Sequence, residues 1–353
     1  MIGIDLFAGA GGLSLGALRA GVDVKYAVEV DPHACLTYRK NHPDTILIEK
    51  DISLVSADYF KDIQSKKDDL IIFGGPPCQG FSTSNQRNRS AENIKNWLFL
   101  EYMRLVEELD PKYVVFENVK GIFETEQKVF FNLIIENFKK LGFNVNYFIL
   151  NAANYGVPQN RNRLFIIGAK TKTMMTKPPQ SRGLVSVGDA IRDLPIVDNG
   201  NRICELPYAT RANSKYAEIM RNNNNNELCS NNLVSRNSTE IIERYSYIPQ
   251  GGNWENIPKE LMKNYKDVSR CHTAIYRRLT ELEPSVTIGN YRKSMLIHPW
   301  KNRGLSVREA ARLQSFPDEF HFYGSIGFQQ QQVGNAVPPF LAEAVFLNLR
   351  NLV

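Results

Sequence analysis

Ile2-Gly3-Ile4-Asp5-Leu6-Phe7-Ala8-Gly9-Ala10-Gly11-Gly12-Leu13 begins a unit that Gly21 and Glu29 complete. Residues 2–7 read as a strand, Gly9 to Gly12 as a tight loop, and Leu13 to Ala20 as a helix closed by Gly21. A second strand at Val24–Val28 leads into Glu29, 20 residues after Gly9, where the acid of a doubly wound sheet meets ribose hydroxyls. Ser14 stands in place of the third glycine of G-x-G-x-x-G, which disfavours a dinucleotide pyrophosphate. Nicotinamide, flavin and methyl-donor sites share this plan, and the loop alone leaves all three open.

Strand signals recur at 45–48, 70–73, 113–116, 145–150 and 164–167, with helical patterns between most of them. That alternation predicts an α/β fold with a doubly wound, mostly parallel sheet. After about residue 170 the texture changes. Pro178-Pro179, Pro195, the Asn222–Asn226 run and Gly251-Gly252 break every long period, predicting loops and short strands in a second, smaller, irregular domain. Helical pattern returns at 306–314, where Ser306 and Glu309 form a capping box, and at 339–349. Between them, residues 285–288 and 295–297 read as a hairpin with a basic, aromatic tip.

The chain has 353 residues, enough for about two domains of roughly 150 residues. Its five cysteines are scattered without C-x-x-C spacing, so neither a disulfide framework nor a metal site is expected. The absence of a long apolar run or a signal peptide gives a cytoplasmic, non-membrane protein as the expectation. The formal charge of +6 is uneven, with 18 Lys+Arg against 13 Asp+Glu in residues 181–303 and 25 against 24 elsewhere. A polyanion partner for that region is the functional reading, and a solvated surface the bland one.

Gly74-Gly75-Pro76-Pro77-Cys78-Gln79-Gly80-Phe81-Ser82 follows the strand at 70–73 and presents one thiol at the tip of a rigid turn. A buried structural cysteine would not need so costly a turn. Phe116-Glu117-Asn118-Val119 places an acid at a strand end, at the same sheet edge as Cys78 if both strands are parallel. Gln159-Asn160-Arg161-Asn162-Arg163 puts two alternate arginines on one face of an extended segment, suited to clamping a carbonyl or a phosphate. Gln332-Val333-Gly334-Asn335-Ala336-Val337-Pro338-Pro339 precedes the last helix and reads as a backbone ligand site or a structural turn.

Taken in order and spacing, these segments resemble the DNA (cytosine-5)-methyltransferase family over residues 1–168 and 303–353. The stretch from Arg308 to Asp318 is similar to the family's helix joining two lobes, and residues 169–302 occupy its variable target-recognition region. The resemblance implies a catalytic and cofactor-binding domain at 1–178 plus 326–353, and a target-recognition domain at 179–325 that includes the joining helix.

It also implies roles. Cys78 would add to C6 of a flipped-out cytosine, Glu117 would meet the ring N3 and the amine, and Arg163, supported by Arg161, would hold O2. S-adenosyl-L-methionine would be held by Phe7, Ala8, Gly9, Gly11, Gly12, Glu29, Val30, Asp51, Ile52, Pro76, Asn335 and Val337. Double-stranded DNA would meet Gln79, Ser82, Ser84, Arg87 and Arg89 on a closing loop, and Asn290, Tyr291, Arg292 and Lys293 on the hairpin. His272 is the candidate for filling the gap left by the flipped base. A monomeric, stand-alone enzyme of bacterial or phage type is expected, paired with a restriction endonuclease acting on the same site.

Competing readings are an amino-group methyltransferase, a tRNA cytosine-5 methyltransferase, an inactive DNA-binding relative and an oxidoreductase. Methylation of an exocyclic amine would call for Asp, Asn or Ser before the proline pair and an aromatic after it. Gly75 and Cys78 stand there instead.

Overall fold

The structure, a computed structural model, describes residues 1–63, 69–77, 98–124 (123 and 124 as backbone alone), 128–180, 182–221, 227–263, 275–289, 291 and 295–352. The chain divides into two compact units. Unit 1 comprises Met1–Tyr155, Asn162–Ser181 and Pro339–Val353; unit 2 comprises Gly156–Arg161 and Arg182–Pro338.

Unit 1 is built on a seven-stranded sheet of β1 (Ile2–Leu6), β2 (Asp23–Glu29), β3 (Ile46–Glu49), β4 (Leu70–Gly74), β5 (Tyr113–Val119), β6 (Asn144–Asn151) and β7 (Asn162–Ala169). The order is β3-β2-β1-β4-β5-β7-β6. Strands β1 to β5 pair in parallel, and β7 runs antiparallel to both β5 and β6. The expected mostly parallel α/β sheet is therefore present. Its inner strands carry unbroken apolar runs because both faces are covered: every residue of β4 is buried, as are the first six of β5.

The helices of unit 1 are α1 (Gly12–Arg19), α2 (Pro32–Asn41), α3 (Leu98–Leu109), α4 (Gly121–Glu124) and α5 (Val129–Lys140). One core cluster packs Leu70, Ile72, Val114 and Phe116 of the sheet with Phe99, Tyr102 and Val106 of α3 and with Phe130, Ile134 and Phe138 of α5. Tyr102 carries its hydroxyl into this core, where it donates to the Ile72 carbonyl across 3.0 Å, so its burial leaves no polar group unpaired. On the other face Phe73 meets Phe346 edge-on at 4.9 Å.

Unit 2 has little sheet: β8 (Leu206–Pro207) and β9 (Leu228–Cys229) form a short antiparallel pair. Its helices are α6 (Val187–Ile191), α7 (Lys215–Arg221), α8 (Thr239–Ser246), α9 (Val307–Leu313) and α10 (Ile326–Asn335), while α11 (Pro339–Leu352) returns to unit 1. All seven residues of α9 are buried, two arginines and a glutamate included. Arg308 donates to the carbonyls of Ser230, Pro317 and Phe320, and Arg312 binds Asp318 and Asp193. Buried charge is tolerated here because each guanidinium finds acceptors on several sides. Ser306 and Glu309 make the expected capping box.

The expected hairpin is not formed by the described residues of 285–297. Ser285 bridges to Gln159, and Ile297 bridges to Arg278 and Gly304. Alternating apolar residues there reflect burial of Ile288, Leu296 and Ile297 in the unit's core, while Ile297 pairs its backbone with Arg277 and Leu279, Ile288 N donates to the Gln159 side chain and Leu296 N donates to Tyr291 O.

Candidate active site

The carboxyl ends of the parallel strands gather the candidate residues of unit 1, as an open sheet with crossovers in both directions requires. Phe7, Glu29, Gly75 and Val119 follow or end β1, β2, β4 and β5. Because β7 is antiparallel, its first residues lie at this same edge, with Arg163 opposite Val119 and Phe165 opposite Glu117. Glu117 and Val119 share one face of β5, so Arg163 reaches diagonally and sets its Nε 2.9 Å from Glu117 Oε1. Both side chains are nearly enclosed, at 12% and 11% exposure, so the ion pair is little screened. Burial lowers the Arg163 pKa, and the Glu117 carboxylate offsets part of that shift.

The turn after β4 is fixed from the same strand. Asn118 donates its side-chain amide to the Pro76 carbonyl across 3.0 Å, fastening the proline pair to the Glu117 strand end. Asn118 lies inside the motif quoted for Glu117 and is buried; a polar residue following the apolar run of a central strand is the sequence signal that could have marked it. Cys78 itself lies outside the described residues, as do Gln79, Ser82, Ser84, Arg87 and Arg89.

The glycine loop is shaped for close approach. Phe7 has φ 61°, a left-handed conformation rare for an aromatic residue, and Gly9 and Gly11 have φ 56° and 95°. Such strain at a strand end is characteristic of ligand sites. Glu29 fixes the loop: Oε2 accepts from Gly9 N at 2.7 Å, and Oε1 accepts from Val30 N and Asp31 N at 2.8 Å. Val30 projects at 62% exposure, an apolar side chain open for a flat ring to cover. Asp51 caps the turn Ile52–Leu54, with Oδ1 accepting from the Ser53 hydroxyl and amide. Those hydrogen bonds hold its carboxyl below the usual range. Ala8 and Ile52 are buried beneath this edge, Gly12 starts α1, and Pro76 is buried behind its clamp.

Sequence reasoning missed Arg104. Its Nη2 donates to the carbonyls of Ile52 and Val55 at 3.0 and 2.8 Å, pinning the Asp51 turn to α3. Its spacing to Glu101 and Glu108 looks like an ordinary solvated helix pattern and gives no sign of this.

In unit 2, Arg161 is buried and donates to the carbonyls of Ile288, Gly334 and Ala336 at 3.2, 2.8 and 3.0 Å. Its guanidinium thus organises the segment bearing Asn335, which is exposed, and Val337, which is buried. Gln159 works beside it, accepting from Ile288 N and donating to Leu313 O. Tyr291 is buried in unit 2, at 3% exposure, rather than set on its surface. His272, Asn290, Arg292 and Lys293 lie outside the described residues. Among the described residues no group of three or more His, Cys, Asp and Glu is arranged for a metal ion, and no helix is long and apolar enough to cross a membrane.

Residues 1–351 match the family model described as C-5 cytosine-specific DNA methylase. The Type II methyltransferase M1.HphI of Haemophilus parahaemolyticus is 40% identical over 97% of this chain and 84% of its own length. A solved putative DNA modification methyltransferase from an E. coli prophage has a TM-score of 0.81 at 30% identity, covering 100% of this chain and 99% of its own. The Spodoptera frugiperda DNMT2 structure, 16% identical, has a TM-score of 0.64 over 99% of both chains, a likeness of fold.

Proposed function

From the premise that the chain belongs to the C-5 cytosine-specific DNA methylase family, we propose that it methylates C5 of a flipped-out cytosine in a specific double-stranded DNA sequence through a Cys78–C6 adduct. The observation that carries this reading is the Glu117–Arg163 ion pair, on the strand end to which Asn118 fastens the turn leading into Cys78.

Cytosine C5 is a weak nucleophile, and temporary addition at C6 turns the ring into an enamine. The Cys78 thiolate forms the bond to C6 while N3 takes a proton from Glu117, which has picked it up from solvent before the step and returns to the carboxylate paired with Arg163, so charge does not build up on the ring. Arg163 orients Glu117 and offers Nη donors to O2. S-adenosyl-L-methionine supplies an electrophilic methyl group when bound. Loss of the C5 proton to a base, with departure of Cys78 and return of the N3 proton to Glu117, then restores the aromatic ring.

The glycine loop, Glu29, Val30 and Asp51 fit such a donor chemically. Positive-φ backbone admits close approach, Glu29 and Asp51 offer acceptors for ribose hydroxyls and an adenine amine, and Val30 is an apolar surface for the adenine face. Asn335 and Val337 of unit 2, whose segment Arg161 holds, are proposed as donor contacts on the family resemblance alone. Residues 179–325 are assigned to target recognition, with His272, Asn290, Arg292 and Lys293 as DNA-contacting residues. The relatives named as Type II methyltransferases support a partner endonuclease recognising the same site.

The test uses purified protein, labelled donor and duplex DNA. Cytosine should gain one methyl group at C5, and DNA carrying 5-fluorocytosine should trap a covalent complex, because fluorine cannot leave as a proton does. Cys78→Ala should abolish both while still binding the donor. Methyl transfer without any trapped complex would overturn the adduct.

A further inference from the structure

Gly75 stands between β4 and the proline pair, and the volume a side chain would need there is already taken. A Cβ placed on Gly75 would lie 2.6 Å from Glu117 Oε2, closer than such contacts are found. Neither neighbour can retreat cheaply. Gly74 is held in register with Leu6 and Phe116, and the Pro76 carbonyl is held by Asn118. The Glu117 carboxylate is held by Arg163, whose Nη1 is itself engaged with the Asn162 carbonyl at 2.8 Å.

We propose that Gly75 is a positioning and specificity residue: by carrying no side chain it leaves the space in which the Glu117 carboxylate meets the base. This rests on the proposed role of Glu117 and extends it. On this backbone an acid at 117 and a side chain at 75 are alternatives, because both need the same volume. An arrangement that grips an exocyclic amine with Asp, Asn or Ser before the prolines would displace the carboxylate that carbon methylation uses. The commitment to C5 is therefore written at Gly75 as well as at Cys78.

The experiment is a double-mutant cycle on kcat, with donor affinity measured by calorimetry. Gly75→Ala should lower kcat at least about tenfold, since a general acid out of position forfeits much of the roughly 100-fold or more it supplies. Donor affinity should stay within about threefold, because the displaced group faces the base. In a Glu117→Gln background, where no proton is left to misplace, adding Gly75→Ala should cost less than about threefold. Equal losses in both backgrounds, or an unimpaired Gly75→Ala beside an impaired Glu117→Gln, would overturn the proposal. A fully active Glu117→Gln would instead remove the role of Glu117 and this inference with it. Should Gly75→Ala fail to fold, Gly75→Ala/Glu117→Ala should fold again; if it does not, the conflict is not with Glu117 and the inference is wrong.

Discussion

Asn118 and Pro76 are joined by a buried hydrogen bond of 3.0 Å that links the end of β5 to the turn after β4. Two parallel neighbours thereby act as one platform: the strand presents Glu117, and the turn leads into Cys78.

Loss of that bond should separate chemistry from binding. Asn118→Ala removes a buried hydrogen bond worth about 1 kcal/mol and leaves the Pro76 carbonyl without its clamp. The rate of trapping on 5-fluorocytosine DNA should fall at least about fivefold, the kinetic equivalent of that energy. Affinity for unmodified DNA should change much less. An equal fall in both would make Asn118 a residue of binding.

Arg104 should matter for the donor. Arg104→Met keeps the apolar stem but releases the Ile52 and Val55 carbonyls, loosening the Asp51 turn. Hydrogen bonds from a charged group contribute about 1.5 kcal/mol or more each, and even one of the two passed on to the donor site should raise the donor KM at least about tenfold. Steady-state kinetics at saturating donor should show kcat nearly unchanged. A fall in kcat with an unaltered KM would refute this role.

How much of this was legible beforehand follows from burial. Strands β4 and β5 stand out because inner parallel strands are covered on both faces, which calls for the apolar runs at 70–73 and 113–116. The motifs marked Glu117 and Arg163, but their pairing depends on β7 running antiparallel to β5, a matter of tertiary register that local pattern does not encode. Among the described residues, 285–288 and 295–297 do not pair with each other, for the converse reason: alternation records which side chains are buried, not which backbone is their partner. The sequence shows Gly75 before the prolines, but its conflict with Glu117 and the pinning by Arg104 lie beyond local pattern because the partners are 42 and 49 to 52 residues away in sequence.

Acid should attack unit 2 through α9. Burial by itself would raise the Glu309 pKa, but Arg303 and His298 more than offset it and hold the carboxyl well below the usual range. Arg303 donates to both of its oxygens at 2.8 and 2.7 Å. A carboxyl with a depressed folded-state pKa stabilises the fold above its unfolded value of about 4.3, and that stabilisation is lost as pH falls through the folded value. Tm should therefore drop as pH falls below about 5. Glu309→Gln should be less stable at pH 7 by about 3 kcal/mol or more, with the buried Arg303 charge left without the Glu309 carboxylate, and its acid limb should be flatter. An unchanged acid limb would remove Glu309 as a cause.

Asp5 should act in the opposite direction. It is fully buried in β1 and receives the Ser14 hydroxyl at 2.6 Å; Ser14 also contacts the Tyr38 hydroxyl at 2.8 Å. Burial pushes its pKa up to about 8, Ser14 pulls it down, and the Glu29 charge adds to the rise. With the folded pKa above the unfolded value of about 3.9, the folded state keeps a proton that the unfolded state gives up. Stability should consequently decline as pH rises from about 4 to 8, then level off once Asp5 ionises in both states. Asp5→Asn keeps the shape and an acceptor for Ser14 while abolishing the ionisation. Denaturant unfolding from pH 5 to 8 should show Asp5→Asn gaining on the parent with each step upward, and a constant difference across that range would show that Asp5 does not titrate with folding.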